Sequence, residues 1–207
     1  MDNQALKALF DQQSAVYDKQ WSGMAPLRDA LYLLLDSVFA GLPENARILC
    51  VDVCRQRATE GGFFSRCRFH EGYLDTLTDE SGYDGATCFL VSQFLLDPQV
   101  RIDFFHEIAR RLVPGGVLAN ADLASDTESP AFEALLRHWM TLMASAQVPA
   151  EMLERARLVY ARDVAILPAP QVAGLIESAG FEAPVQFFQA GLMHGWFCPR
   201  KVEIAAI

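Results

Sequence analysis

The run Ala86-Thr-Cys-Phe-Leu-Val-Ser-Gln-Phe-Leu95, the segment Pro98–Leu112 and the run Val113-Pro-Gly-Gly-Val-Leu-Ala-Asn-Ala-Asp-Leu123 decide the fold. Ala86–Leu95 is almost continuously apolar, the pattern of a central strand covered on both faces. In Pro98–Leu112 the residues Ile102, Phe105, Ile108, Ala109 and Leu112 share one helical stripe. Asp97 stands at the position of an N-terminal cap and Pro98 in the first turn. Pro114, Gly115 and Gly116 stop the helix, and Val117–Leu123 is the next strand. A strand, a crossover helix and a second strand make a parallel unit, because so long a connection returns the chain in the same direction.

The same reading extends outward. Ala46–Val51 follows the turn at Pro43–Asn45 and is short and apolar, a buried strand. Val53–Thr59 reads as a helix stopped by Gly61–Gly62, and Cys67–Tyr73 alternates like a strand. Two helices precede them, over Ala5–Gln20 and from Pro26 to Gly41. Downstream, Ser129 and Pro130 open a helix with Phe132, Leu135, Leu136, Trp139 and Met143 on one side. Pro170–Ala179 is a short helix closed by Gly180, and Val185–Gln189 and Leu192–Cys198 pair as strands around Gly191. Alternating elements with a terminal strand pair predict an α/β domain of three layers, its sheet mostly parallel with an antiparallel edge. One domain is expected over residues 1–207: a helical cap at 1–45, a core at 46–124, a candidate substrate lid at 125–165, and a terminal helix and strand pair at 166–207.

Composition bounds the function. The chain has 207 residues, 52% of them hydrophobic and 21% charged, with a net charge of −9. A phosphate backbone is repelled by such a surface, so no nucleic acid partner is expected. No apolar run approaches the ~20 residues that span a bilayer, and the N-terminus carries no signal-like core, so no membrane partner and a cytoplasmic location are expected. The five cysteines contain no CxxC pair, and Cys50, Cys88 and Cys198 lie in apolar runs, as buried reduced thiols do. The four histidines have no metal-ligand spacing, so no metal is expected.

Several segments in order resemble the class I S-adenosylmethionine-dependent methyltransferases of the small-molecule type. They are the first strand Ala46-Arg-Ile-Leu-Cys-Val51, the segment Arg68-Phe-His-Glu-Gly-Tyr73 and the pair Tyr83-Asp84 before the fourth strand. Leu90-Val-Ser-Gln-Phe-Leu95 follows that strand, then Glu107-Ile-Ala-Arg-Arg-Leu-Val-Pro-Gly-Gly116, then the helix Gln171–Phe181 with its Ala-Gly-Phe ending. The resemblance covers roughly residues 46–198 and implies a Rossmann-like methyltransferase fold. It implies S-adenosylmethionine as cofactor and a small molecule as methyl acceptor.

Carried over position by position, it places Gly72 and Tyr73 at the turn after the family's third strand, near the adenine. It places Cys88, Phe89 and Leu90 at the end of the fourth strand, along the donor, with the polar Ser92 and Gln93 just beyond. For Gln93 a cap on the sheet edge is the alternative. In the N-terminal helix Tyr17 and Trp21 become substrate candidates, with core packing as the alternative. Arg157 and Arg162 are candidates for an acidic substrate, and the Met and aromatic stripe of 130–162 is either a lid or core. No catalytic residue is singled out: a sulfonium donor is already activated, and alignment supplies much of the rate.

The sequence departs from the family at one place. The first strand should lead into a glycine-rich turn, then a helix and a second strand ending in a ribose-binding acid. Here Val51 runs directly into Asp52-Val-Cys-Arg-Gln-Arg57, which resembles the helix after that acid. Roughly 30 residues are missing, judged from the size of a βαβ unit. Either a segment is not represented in this sequence, or the deletion is real, or the lost groups are replaced from elsewhere. A real deletion predicts that strand Cys67–Tyr73 pairs directly with Ala46–Val51, and a non-catalytic relative becomes the alternative function.

Overall fold

The computed structural model describes residues 24–51, 55–62, 64–78, 81–145, 151, 158, 160 and 162–202. The N-terminal helix, the Val51–Asp52 junction and Arg157 lie outside the described residues. The elements run α1 (Ala25–Phe39), β1 (Ile48–Val51), α2 (Arg55–Glu60), β2 (Tyr83–Phe89), α3 (Pro98–Ala109), β3 (Leu112–Leu123), α4 (Pro130–Ser145), α5 (Ala169–Ser178), β4 (Val185–Ala190) and β5 (Met193–Pro199). None of the described helices is long and apolar enough to cross a membrane.

The five strands form one sheet in the order β1-β2-β3-β5-β4. β1 pairs β2 and β2 pairs β3 in parallel, while β5 runs antiparallel between β3 and β4. Strands alternate their side chains, so each face collects its own core. Phe105 and Ile108 of α3 and Val172 and Ile176 of α5 cover one face over Ala86, Cys88, Leu118, Trp196 and Cys198. Leu31 and Leu35 of α1 and Leu136, Trp139 and Met140 of α4 cover the other over Ala119, Ala121, Leu123 and Met193. The predicted three-layer α/β architecture is what forms.

Local chemistry accounts for the boundaries. The Asp97 side chain accepts a hydrogen bond from the Gln99 amide at 2.8 Å and caps α3, with Pro98 in the first turn. The segment Pro114-Gly-Gly116 does not precede β3, as the sequence suggested, but lies inside it. Between Tyr83 and Gly85 the pairing with β3 jumps from Leu112 to Val117, a bulge that absorbs the extra residues. Gly115 takes φ +78°, and a Cβ on Gly116 would stand 2.9 Å from the Val113 carbonyl oxygen, so both positions need glycine.

Two expectations fail. Cys67–Tyr73 is not a strand: it runs as irregular chain between short 3-10 turns at Phe64–Arg66 and Leu74–Thr76. Alternation alone does not make a strand, because the backbone groups need a neighbour to bond. The turn that follows it is fastened by Arg111, which donates to the Leu74 and Leu77 carbonyls at 2.7 and 2.9 Å. Cys67–Tyr73 therefore does not pair with β1, whose only partner among the described residues is β2. Cys50, expected to be buried, is exposed on that end strand, whereas Cys88 and Cys198 are buried as expected.

Candidate functional site

In an open α/β sheet ligands bind beyond the carboxyl ends of the parallel strands. At that rim β2 ends at Phe89, and Leu90 takes φ +58°. A leucine there crowds its Cβ against the backbone and sits in the left-handed region at a cost of roughly 1–2 kcal/mol. Its amide donates to the Ala121 carbonyl at 2.6 Å, across to β3. The chain then winds through a 3-10 turn, Ser92–Phe94.

A buried polar cluster lies directly behind this turn. Arg101 of α3 and Asp122 of β3 form an ion pair at 3.0 Å, both side chains fully buried. The Ser92 hydroxyl donates to Asp122 Oδ2 at 2.5 Å and accepts from Arg101 Nε at 3.0 Å. Asn120 Nδ2 also donates to Asp122 Oδ2, at 2.7 Å. The Gln93 amide donates to Asp122 Oδ1 at 3.2 Å, and Gln93 Oε1 accepts from the Leu123 amide at 2.7 Å. Asn120 Oδ1 is buried and has no hydrogen-bond partner among the described residues. Segment 163–167 covers the turn from outside, with the Ala165 amide donating to the Gln93 carbonyl and the Ser125 amide to the Leu167 carbonyl.

The expected site residues divide accordingly. Phe89 and Leu90 are partly buried and pack on the α1/α4 side of the sheet end. Cys88 points instead into the α3/α5 core, where its side chain serves packing. Gln93 is buried, and its side-chain oxygen accepts from the Leu123 amide at the end of β3. Gly72 is pressed by its own loop: a Cβ would stand 2.6 Å from Thr76 Oγ1. Tyr73 is exposed. That loop reaches the α3/α5 side through Leu74 and Leu77, so it does not join Leu90 in one cluster. Tyr17 and Trp21 lie outside the described residues.

Behind Leu90, Trp139 Nε1 donates to the Tyr160 hydroxyl at 3.2 Å, and that hydroxyl contacts Met143 Sδ at 3.6 Å. Burial raises the Tyr160 pKa, which keeps the phenol protonated. This part of the Met and aromatic stripe is core. Arg162 is paired bidentately with its neighbour Asp163 at 2.9 and 2.7 Å. On the other face of β5, His194 is buried and stacks on Trp196, and its Nδ1 meets the Leu192 carbonyl at 3.0 Å. A carbonyl only accepts, so Nδ1 carries the proton, and burial lowers the pKa of the ring.

Sequence reasoning singles out Ser92 but misses its partners Arg101 and Asp122, although signals for them exist. Arg101 is four residues before Phe105 and seven before Ile108, on the buried stripe of α3. Asn120 and Asp122 are two apart, so both face the same side of a strand that is otherwise apolar.

A methyl donor lying over the end of β2 finds part of what it needs. At this rim the half-buried Phe89 and Leu90 lie on the α1/α4 side and Val91 on the α3/α5 side, all three apolar. The described residues include no second strand with a ribose-binding acid, and no strand flanks β1 on its outer side. The donor-side wall of the site does not fit the group as the apolar rim does.

Comparison with known proteins places this architecture. No family model and no curated protein matches the sequence. Solved structures do match. Mitomycin 7-O-methyltransferase MmcR superposes with a TM-score of 0.54 at 20% identity, covering 81% of this chain and 45% of its own. The S-adenosylmethionine-dependent methyltransferase SibL in its apo form gives 0.54 at 16%, covering 84% and 57%. An O-methyltransferase family 2 protein from Planctomyces limnophilus DSM 3776, in complex with apigenin, gives 0.51 at 14%, covering 79% and 45%. The chain thus has the Rossmann-like fold of the class I S-adenosylmethionine-dependent methyltransferases. It spans about half the length of the solved structures it matches.

Proposed function

We propose that this protein is an S-adenosylmethionine-dependent methyltransferase that acts on a small molecule. The observation that carries the reading is the left-handed Leu90 at the carboxyl end of β2, in a sheet with the methyltransferase strand order from β2 to β4. Backbone strain of this kind persists only where the surroundings over-determine it, and it gathers at ligand sites. The motif order from Tyr83 to Phe181 supports the same reading. Two of the three solved neighbours described above are named for O-methylation, so an oxygen nucleophile is the first acceptor to try. When bound, the cofactor supplies a sulfonium methyl group; the protein supplies the apolar rim, the orientation and the exclusion of water.

One observation favours a second reading, a non-catalytic relative that has lost its donor site. Among the described residues β1 ends the sheet, where the family expectation puts further strands outside it. Titration calorimetry of the purified chain with S-adenosylhomocysteine separates the two. Saturable binding in the micromolar range, about −8 kcal/mol, supports the methyltransferase. No heat up to millimolar ligand rejects it and leaves the relative.

A further inference from the structure

We propose that Asp122, Arg101 and Ser92 are positioning residues: they form a latch that sets the Leu90–Gln93 turn in its ligand-receiving shape before any ligand arrives. The identity of that ligand rests on the methyltransferase reading; the latch itself rests on the geometry.

The turn is stapled to β3 residue by residue. The Leu90 amide bonds the Ala121 carbonyl, the Ser92 hydroxyl and the Gln93 amide bond the Asp122 carboxylate, and the Gln93 side-chain oxygen bonds the Leu123 amide. Three consecutive residues of β3 thus fix four groups of the turn. Asp122 is the hub, and a carboxylate held away from water needs a cation. Arg101 reaches in from α3, places its Nε on the Ser92 hydroxyl, and extends its other terminal nitrogen toward the Ala165 carbonyl at 3.4 Å. One guanidinium therefore joins the turn, the strand behind it and the segment in front.

Stability alone is a poor account of this arrangement. A buried ion pair gains little over apolar residues of the same volume, because desolvation offsets the attraction. Here the bonds converge on one turn, and that turn contains the only left-handed non-glycine residue among those described. Pre-organising a strained turn is what lowers the ordering cost of binding to it.

The test uses the full chain and two variants, Ser92→Ala and Asp122→Asn. Ser92→Ala leaves the ion pair intact and is the variant expected to fold; Asp122→Asn keeps the shape and removes the charge. Amide exchange is followed at Leu90 and Leu95 and, as a control, at Ala119 in the body of β3, together with the thermal midpoint and calorimetric binding of S-adenosylhomocysteine. The latch predicts that in Ser92→Ala exchange at Leu90 and Leu95 rises about 10-fold or more while Ala119 stays within about 3-fold. Where the wild type binds S-adenosylhomocysteine, affinity falls about 10-fold in the same variant, with the larger effect in Asp122→Asn. Unchanged exchange at Leu90, or an equal rise at Ala119, overturns the latch, since a merely stabilising cluster would loosen the whole sheet together. A wild type that binds no S-adenosylhomocysteine overturns the methyltransferase reading instead, and the exchange data still decide the latch.

Discussion

Replacing Leu90 by glycine and, separately, by alanine measures the strain at the sheet end. In ordinary extended or helical backbone alanine is more stable than glycine by about 0.5–1 kcal/mol, because glycine loses more entropy on folding. At Leu90 the φ of +58° reverses the order. Both variants delete the same partly buried isobutyl group, and each loses roughly 1–3 kcal/mol by that route, less than a fully buried leucine would. Alanine keeps the Cβ that collides in the left-handed region, and glycine does not. The glycine variant should therefore be the more stable by about 1 kcal/mol. For a chain of this length that is a difference of roughly 2–4 °C in thermal midpoint. Urea and thermal denaturation, followed by circular dichroism, read it directly. An alanine variant equal to or more stable than the glycine variant would refute the claim that the protein holds strain here.

Three other outcomes are expected. Glu107 is held at a pKa of about 2 by hydrogen bonds from Arg110 and Arg111, against an ordinary 4.5. A depressed carboxylate stabilises the fold above its unfolded pKa and loses that stabilisation as the pH falls from about 4.5 toward 2. The gap in urea midpoint between wild type and Glu107→Gln should therefore be widest near pH 6, shrink to about half or less by pH 3 and close only below about pH 2; a gap independent of pH contradicts it. Burial pushes the Cys198 thiol up to about 12, so a native protein treated with iodoacetamide near pH 8 should leave Cys198 unmodified, and rapid labelling by peptide mass would show the site is open. Trp139→Phe removes the donor to Tyr160 and leaves a gap in the α1/α4 core, at a cost of about 1–3 kcal/mol in chemical denaturation; a neutral result would mean that the bond carries nothing.

The parts of the fold legible in the sequence are those whose signals are local. β2, α3 and β3 were readable because a buried strand, a capped amphipathic helix and a glycine stop follow one another without a break. Where the outcome depends on a distant partner, the reading failed. Cys67–Tyr73 has the alternation of a strand but no strand beside it, and Arg111 from the end of α3 fastens the neighbouring turn instead. The PGG segment read as a stop because glycine and proline mark turns, while the structure uses it as a bulge within one strand. Within the site, Leu90 and Phe89 came from the family resemblance and stand at the rim. Cys88 came with them and faces the other side, since neighbours in a strand alternate, while Gln93, in the 3-10 turn, is held against β3 by the Leu123 amide. Arg101 and Asp122 were passed over because charged residues are mostly exposed, and only their pairing makes burial tolerable.

The two flanks of the sheet are unequal, and this carries a last prediction. β3 has twelve residues, strands on both sides and seven consecutive positions, 117 to 123, of which six are buried. β1 has four residues, a single partner strand among the described residues and only Leu49 buried. Its sequence Ile48-Leu-Cys-Val51 has no charge, proline or bulge, the usual means of blunting an edge. Protection of an amide follows the stability of the unit around it, so Ile48–Val51 should exchange at least about 10-fold faster than Ala119–Leu123. Adding S-adenosylhomocysteine then turns β1 into a reporter. A donor seated across the carboxyl ends of β1 and β2 must slow exchange at Val51 and Leu90 together, since it bridges the weak strand to the strong one. Slowing at Leu90 alone would mean that the donor side is not used, and that this sheet binds its ligand on the β2–β3 side only. Equal protection of β1 and β3 without ligand would show that the outer edge of β1 is covered in solution, against the observed strand order.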